Sequence, residues 1–170
     1  MVFGIKFTLG PVLLFCLAFL PPFFLGILIY QYSVDVPYWD QWEIALFFER
    51  FAQGSLSLND LFAQQNEYRQ FFPNLIFLGL GWLTSWNVRY EMLVSFMLAC
   101  FASYNIYRLS QVTFYGDDIR RALMFIIANV FIFSPIQYEN WLFGVQIIYF
   151  IPIACITTCL LIAYSRMKTR

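Results

Sequence analysis

The sequence predicts an all-α fold, a multi-pass bundle of transmembrane helices. Hydrophobic residues make up 61% of its 170 residues and charged residues only 12%, whereas soluble domains carry about 25% charged residues. This composition excludes a free cytosolic enzyme, a disulfide-stapled secreted domain and an electrostatically driven nucleic-acid binder. The chain contains no histidine, which removes Ser-His and Cys-His nucleophile pairs and most zinc sites. The lipid bilayer is therefore the expected partner, and binding to nucleic acid is not expected.

Four segments are apolar enough to cross the hydrocarbon core, which takes about 20 helical residues. The apolar core of the first segment, Thr8 to Tyr30, exceeds the roughly 7–15 residues of the apolar region of a secretory signal peptide, so it predicts an uncleaved anchor. Pro21 and Pro22 are expected to kink this helix. The predicted layout is one membrane domain over 1–170, with span 1 at 8–30, an outer loop at 31–89, span 2 at 91–109, span 3 at 121–135 and span 4 at 144–165.

A fifth apolar run, Phe72–Trp86, decides the topology. If this run crosses the membrane, most basic residues face outward. If it enters and leaves on the same side, seven of the ten basic residues are cytoplasmic: Lys6, Arg108, Arg120, Arg121, Arg166, Lys168 and Arg170. The Lys/Arg bias favours the second arrangement. We therefore predict about four spans, one half-inserted helix in the first outer loop, and both termini on the cytoplasmic side of the plasma (inner) membrane.

The first outer loop is predicted to fold into juxtamembrane helices. Ile44, Phe47, Phe48 and Phe51 form one apolar stripe at helical spacing, and Gly54 ends that helix. Ser57 and Asp60 match a capping box, which predicts a second short helix from Leu58 to about Gln65.

Two carboxylates of this loop, Asp35 and Asp40, are the first candidates for chemistry. A carboxylate held against aromatic side chains at a membrane surface is suited to act as a general base. The competing interpretation of Asp40 is an N-cap that works with Glu43 three residues later. Spacing alone leaves both interpretations open.

Three further charged residues are candidates for binding or catalysis. Arg69, close to Glu67, suits a phosphate, although an ordinary surface ion pair explains it equally well. Glu139 is the only charge between spans 3 and 4, and an ionisable group at membrane depth indicates a function unless water reaches it.

The four cysteines all fall in spans, where thiols act as small hydrophobic groups. Asn129 and Gln146 are expected to form hydrogen bonds between helices.

The stretch Val34–Trp42, VDVPYWDQW, resembles the acidic motif in the first outer loop of the GT-C class of membrane glycosyltransferases. That class includes the protein O-mannosyltransferases and the aminoarabinose transferases of lipid A. The segments NEYRQFFP at 66–73 and ENWLFGVQ at 139–146 resemble parts of uncharacterised bacterial multi-pass proteins with a similar layout. The order of an anchor, a folded acidic outer loop, a half-inserted helix and a second acidic loop is also similar to the N-terminal module of the class.

The resemblance implies transfer of a sugar from a polyprenyl-phosphate carrier on the outer face of the membrane. Asp40, with Asp35 as second choice, would be the base, and Glu139 would assist it or hold a divalent metal ion. Arg69 or Arg89 would bind the donor phosphate. Members of the class have more spans, so the chain is expected to be an N-terminal portion that depends on further spans or a membrane-protein partner for activity. The alternative is a non-enzymatic small membrane subunit, scaffold or transporter component, which the short length and neutral net charge favour.

Overall fold

The computed structural model describes residues 9–62, 64–65 and 68–168, and within them the chain is all-α. Its α-helices, in chain order, are α1 (Leu9–Leu17), α2 (Leu20–Tyr32), α3 (Glu43–Ala52), α4 (Leu58–Leu61), α5 (Phe71–Thr84), α6 (Arg89–Thr113), α7 (Asp118–Ile132), α8 (Tyr138–Leu142) and α9 (Ile147–Lys168). Short 3₁₀ turns cover Trp39–Trp42, Pro135–Gln137 and Gly144–Gln146. The only extended pairing among the described residues is a two-residue antiparallel ladder between β1 (Gln64–Gln65) and β2 (Tyr68–Arg69).

Four helical segments of the described chain are long and apolar enough to cross a membrane, namely Val12–Tyr32, Arg89–Thr113, Asp118–Leu142 and Gly144–Tyr164. The predicted fold class, an all-α multi-pass bundle with about four spans, is therefore confirmed. Helix α5 is apolar but has only 14 residues. At 1.5 Å per residue it is about 21 Å long, shorter than the hydrocarbon core of about 30 Å. The sides of the membrane on which the loops lie remain a prediction.

The chain divides into two compact units. The first unit comprises Met1–Leu28, Ala99–Ile136 and Ile153–Arg170, and the second comprises Ile29–Leu98 and Gln137–Pro152. The whole predicted outer loop, 31–89, belongs to the second unit, as does most of the connection between α7 and α9.

In the first unit, the predicted kink is confirmed as a break between α1 and α2 at residues 18–19, directly before the two prolines. Pro22 has no N–H, so the carbonyl of Ala18, four residues earlier, loses its partner within the helix. The side chain of Asn129 replaces that partner, because its Nδ2 donates a hydrogen bond of 2.8 Å to the Ala18 oxygen. Ser103 donates to Oδ1 of the same asparagine. The predicted interhelical role of Asn129 is thus confirmed.

Aromatic packing and a second amide complete the first unit. Four rings from α1, from the break after it, and from α6 and α7 lie with centroids 5.0 to 5.8 Å apart: Phe15, Phe19, Tyr107 and Phe125. Nδ2 of Asn105 lies 3.2 Å from Oγ1 of Thr157 and 2.9 Å from Oγ1 of Thr158. Side-chain hydrogen bonds of this kind join helices where lipid gives no hydrophobic driving force between them.

In the second unit, α3 packs on α5 through one face of each helix. Ile44 on α3 and Phe77 on α5 are buried together with Ile147 at the start of α9. The ring of Phe48 lies over Gly81 so closely that a Cβ at that position would overlap the ring. The predicted stripe is confirmed for Ile44, Phe47 and Phe48, whereas Phe51 at its end is exposed.

The start of α4 is also confirmed, but its predicted end is wrong. Ser57 Oγ accepts from the amide of Asp60 at 3.2 Å, and the Asp60 carboxylate accepts from the amide of Ser57 at 2.8 Å. The hydroxyl and the amide of Ser57 both donate hydrogen bonds to the Asp60 carboxylate and, with the positive charge of Arg50, hold the pKa of Asp60 below its usual value. The helix ends at Leu61 rather than near Gln65, because Nδ2 of Asn74 binds the Leu61 carbonyl and the next residues pair as β1 and β2.

The link between Asn129 and the proline break predicts a coupling that a double-mutant cycle measures. We expect Asn129→Leu to lower the free energy of unfolding by about 1 kcal/mol, because it leaves the Ala18 carbonyl unpaired within the membrane. In a Pro22→Ala background the amide of residue 22 is available to that carbonyl, so the same substitution should cost much less. Unfolding by SDS titration in mixed micelles measures both. An equal cost of Asn129→Leu in the two backgrounds would contradict this account.

Candidate functional site

A buried pair of polar side chains, Gln41 and Glu91, lies at the centre of the second unit. Gln41 is 0% and Glu91 1% exposed, and Nε2 of Gln41 donates a hydrogen bond to Oε2 of Glu91. The Oε1 atom of Gln41 accepts from the amide of Tyr38 at 3.3 Å. Buried polar groups are stable only when hydrogen-bonded. The pair therefore fixes the Trp39–Trp42 turn to the first turn of α6.

The pair is covered by Gly144, at a distance that only glycine permits. A Cβ at this position would lie 2.6 Å from Nε2 of Gln41 and 3.0 Å from Cγ1 of Val88, and it would overlap Oε2 of Glu91. Glycine is used where a backbone must approach other groups this closely. The Gly144–Gln146 turn thus encloses the buried pair together with the Trp39–Trp42 turn and the first turn of α6.

Asp35 forms a second attachment between the same parts of the chain. Its Oδ1 atom accepts a hydrogen bond of 2.8 Å from the amide of Val88, directly before α6. A carboxylate at the start of a helix is favourable because the first amides have no partners within the helix and the helix dipole is positive there. Asp35 therefore helps to hold residues 33–38 against the start of α6.

Aromatic contacts hold both ends of the Trp39–Trp42 turn. The Tyr38 ring packs edge-on against Phe143 with centroids 5.5 Å apart. The Trp42 ring packs edge-on against Trp86 at 5.9 Å, and Trp86 also contacts Phe48 at 5.0 Å. The turn is consequently held by rings on each side and by the buried pair below it.

Some hydrogen-bonding capacity in this part of the fold is unused. Oε1 of Glu91, Nε1 of Trp86 and Oε1 of Gln146 are buried and have no hydrogen-bond partner among the described residues. No ion pair joins Glu91 to a basic side chain of the described chain. One oxygen of Glu91 is therefore bound to Gln41, and the Trp86 side chain lies near the carboxylate without forming a hydrogen bond of standard geometry.

All five predicted site residues belong to the second unit, on separate elements. Asp40 is exposed in the 3₁₀ turn beside Gln41, and Glu139 is exposed on α8, where its Oε1 lies 3.3 Å from the hydroxyl of Tyr138. Arg69 is exposed on β2, and Arg89 is exposed as the first residue of α6. The prediction for Glu67 lies outside the described residues.

The N-cap interpretation of Asp40 is wrong. The residue before α3 is Trp42, and the residue before the 3₁₀ turn is Tyr38, so Asp40 occupies neither N-cap position. The reason is that a 3₁₀ turn extends the helical segment by four residues towards the N-terminus. Asp40 consequently lies inside this extension.

The described residues do not fit the divalent metal ion that the resemblance implies. No group of three or more His, Cys, Asp or Glu side chains among them is placed to hold a metal ion. Asp35 is already bound to the Val88 amide, and Glu139 and Asp40 lie on different elements. We assign no catalytic step to such an ion.

Sequence reasoning did not find the buried centre of the site, because Glu91 and Gln41 are 50 positions apart. One signal was present in α6, where Glu91 heads a row of small residues, Ser95, Ala99 and Ala102, at helical spacing. All four are buried, and such small-residue rows mark helix faces that pack closely. The row would have predicted that Glu91 points into the protein.

Comparisons of the chain with protein-family models, with curated proteins and with solved structures give no match. Its function is therefore inferred from its own residues and their geometry.

The close approach at Gly144 predicts a strong position-dependent effect of adding one methyl group. We expect Gly144→Ala to lower the free energy of unfolding by about 1–3 kcal/mol, because the added Cβ displaces the Gln41–Glu91 pair. Gly79 is the matched control, since a Cβ there meets nothing within 4 Å. In the middle of α5, Gly79→Ala should be neutral or stabilise by up to about 1 kcal/mol. Thermal unfolding in detergent compares the variants, and equal effects at the two glycines would refute the geometry.

Proposed function

We propose that the chain is the N-terminal portion of a glycosyltransferase that takes its sugar from a polyprenyl-phosphate carrier. The activity would lie on the outer face of the plasma membrane, with both termini in the cytoplasm. The observation that carries the proposal is the position of Asp40, which is exposed on a turn fixed from below by the Gln41–Glu91 pair. A general base must be both accessible to substrate and held in place.

In this proposal the Asp40 carboxylate accepts the proton of the acceptor hydroxyl. The hydroxyl oxygen forms the new bond to the anomeric carbon, the bond from that carbon to the phosphate oxygen breaks, and the polyprenyl phosphate leaves with the electron pair. Asp35 ranks second as base because one of its oxygens is bound to the Val88 amide. Glu139 is the second acid, placed on α8 in the same unit.

The donor phosphate is assigned to the exposed arginines of the second unit. Arg89 is the better supported of the two because it opens α6, and the positive end of the helix dipole favours an anion. Arg69, exposed on β2, is the other choice. A guanidinium is suited to bind two phosphate oxygens at once.

The alternative function is a non-enzymatic subunit or scaffold for another membrane protein. One observation favours it, an apolar groove of about 470 Å³ in the first unit. Its lining includes Leu20, Pro21, Phe24, Ile126 and Val130. A groove of this kind is suited to receive a helix of another membrane protein.

The catalytic proposal predicts that Asp40→Asn lowers sugar transfer by about 10²–10⁴-fold, since that is the usual contribution of a general base. The assay uses membranes that contain the full protein, with polyprenyl-phosphate-linked sugars as donors. Glu49→Gln is the matched control, because Glu49 is also an exposed acid of the second unit and bonds only its helical neighbour Gln53 among the contacts described. If neither Asp40→Asn nor Asp35→Asn reduces transfer, the assigned base is wrong. If the parent protein transfers no sugar, the subunit function is favoured.

The proposed sidedness predicts opposite labelling of two exposed positions. In a background without the native cysteines, Leu58→Cys should react with a membrane-impermeant maleimide in intact cells. Tyr115→Cys, between α6 and α7, should react only after permeabilisation. Both side chains are exposed on the protein surface, so burial within the protein does not limit the reaction. Labelling of Tyr115→Cys in intact cells would overturn the four-span topology.

A further inference from the structure

The backbone of Trp39 adopts a conformation that large side chains rarely take. Its φ angle is +50°, in the left-handed region where an L-residue with a bulky side chain is a genuine outlier. Strained residues of this kind persist only when the surrounding structure fixes them, and they cluster at sites of function.

The residues on either side of Trp39 supply that restraint. Tyr38 is held by its amide bond to Gln41 and by the Phe143 ring, and Trp42 is held by Trp86. Trp39 itself is 77% exposed, and its ring contact is with the adjacent Tyr38 ring at 6.3 Å. The turn thus presents the Trp39 indole outward from a backbone that the contacts of Tyr38 and Trp42 hold in place.

We propose that Trp39 is the stacking platform for a sugar ring, an inference that rests on the glycosyltransferase function proposed above. The face of an indole is electron-rich, and the axial C–H groups of a pyranose form a weakly positive surface that packs on such a face. The carboxylate of Asp40, the next residue, accepts hydrogen bonds from sugar hydroxyls. An aromatic face beside a carboxylate therefore matches the two kinds of surface that a sugar offers.

A membrane-interface anchor is the competing role for an exposed tryptophan. The restraint of the turn argues against it, because an anchor needs only an indole at the right depth and not a backbone held by the Tyr38–Gln41 hydrogen bond and by rings at both ends. Trp82 provides the comparison within the same unit. It is 74% exposed and lies in the regular helix α5, as an anchor would.

The test measures binding of farnesyl-phosphate-linked mannose and glucose to the full protein in nanodiscs, with farnesyl phosphate as the sugar-free reference. We expect the parent to bind at least one sugar-bearing compound more tightly than the reference. Trp39→Ala should remove that advantage, a loss of about tenfold in affinity, while Trp39→Phe retains most of it. Trp82→Ala, matched in exposure, should leave all three affinities unchanged.

A second measurement separates the platform from a structural role. Trp39→Gly places the residue that tolerates positive φ at the strained position, so the variant should unfold at the same or a higher temperature while losing the sugar-dependent affinity. A lower unfolding temperature would show that the Trp39 side chain stabilises the fold, and quenching of Trp39 by brominated lipids equal to that of Trp82 would show an anchor; either result would overturn the proposal. So would unchanged sugar binding in Trp39→Ala, or a parent that prefers neither sugar to farnesyl phosphate.

The outcomes also distinguish this inference from the proposed function. Transfer that depends on Asp40 but not on Trp39 would support the proposed enzyme activity and contradict the stacking role of Trp39. Sugar binding that depends on Trp39 in a protein without transfer activity would support the stacking role and contradict the enzyme activity.

Discussion

The second unit depends on one hydrogen bond, from the side chain of Gln41 to that of Glu91. It joins residues 50 positions apart and gives each of the two buried side chains a hydrogen-bond partner, which offsets part of the cost of removing them from water. Glycine at position 144 is required because the bond lies directly against the backbone there. Removing either side chain would leave the other buried without this partner. We therefore expect the Trp39–Trp42 turn, the start of α6 and the Gly144–Gln146 turn to lose stability together.

In the first unit the main constraint is a backbone carbonyl that has lost its helical hydrogen-bond donor to a proline. Within a bilayer no water is present to satisfy a free carbonyl, so the partner must come from the protein. Asn129 supplies it to Ala18 and is itself oriented by Ser103. The same constraint explains why polar side chains as buried as Asn105 and Asn129 are found in helices otherwise made of apolar residues.

Local rules predicted those features of the fold that depend on neighbours in sequence. The proline break, the stripe on α3 and the Ser57–Asp60 box each need only a few residues, and each is confirmed, except that Phe51 at the end of the stripe is exposed. The end of α4 was missed because it is set by Asn74, thirteen positions from Leu61. The Gln41–Glu91 pair and the tight approach of Gly144 were missed for the same reason, since no local pattern encodes a contact across such separations. The roles of Asp40, Asp35, Glu139, Arg69 and Arg89 stay predictions.

The difference in burial between two neighbouring polar residues gives each a separate task. Gln41 is fully buried and fixes the turn, whereas Asp40, the residue before it, is exposed. A flexible loop would place an acid anywhere within several ångströms, but catalysis requires it to be held near its reacting position. The strained Trp39 on the other side of Asp40 is consistent with the same requirement, because strain persists only where the surrounding contacts are strong enough to enforce one conformation. A turn that served only as a membrane-surface connection would have no need of a buried pair, a glycine without room for a methyl group and a left-handed tryptophan within the same few residues.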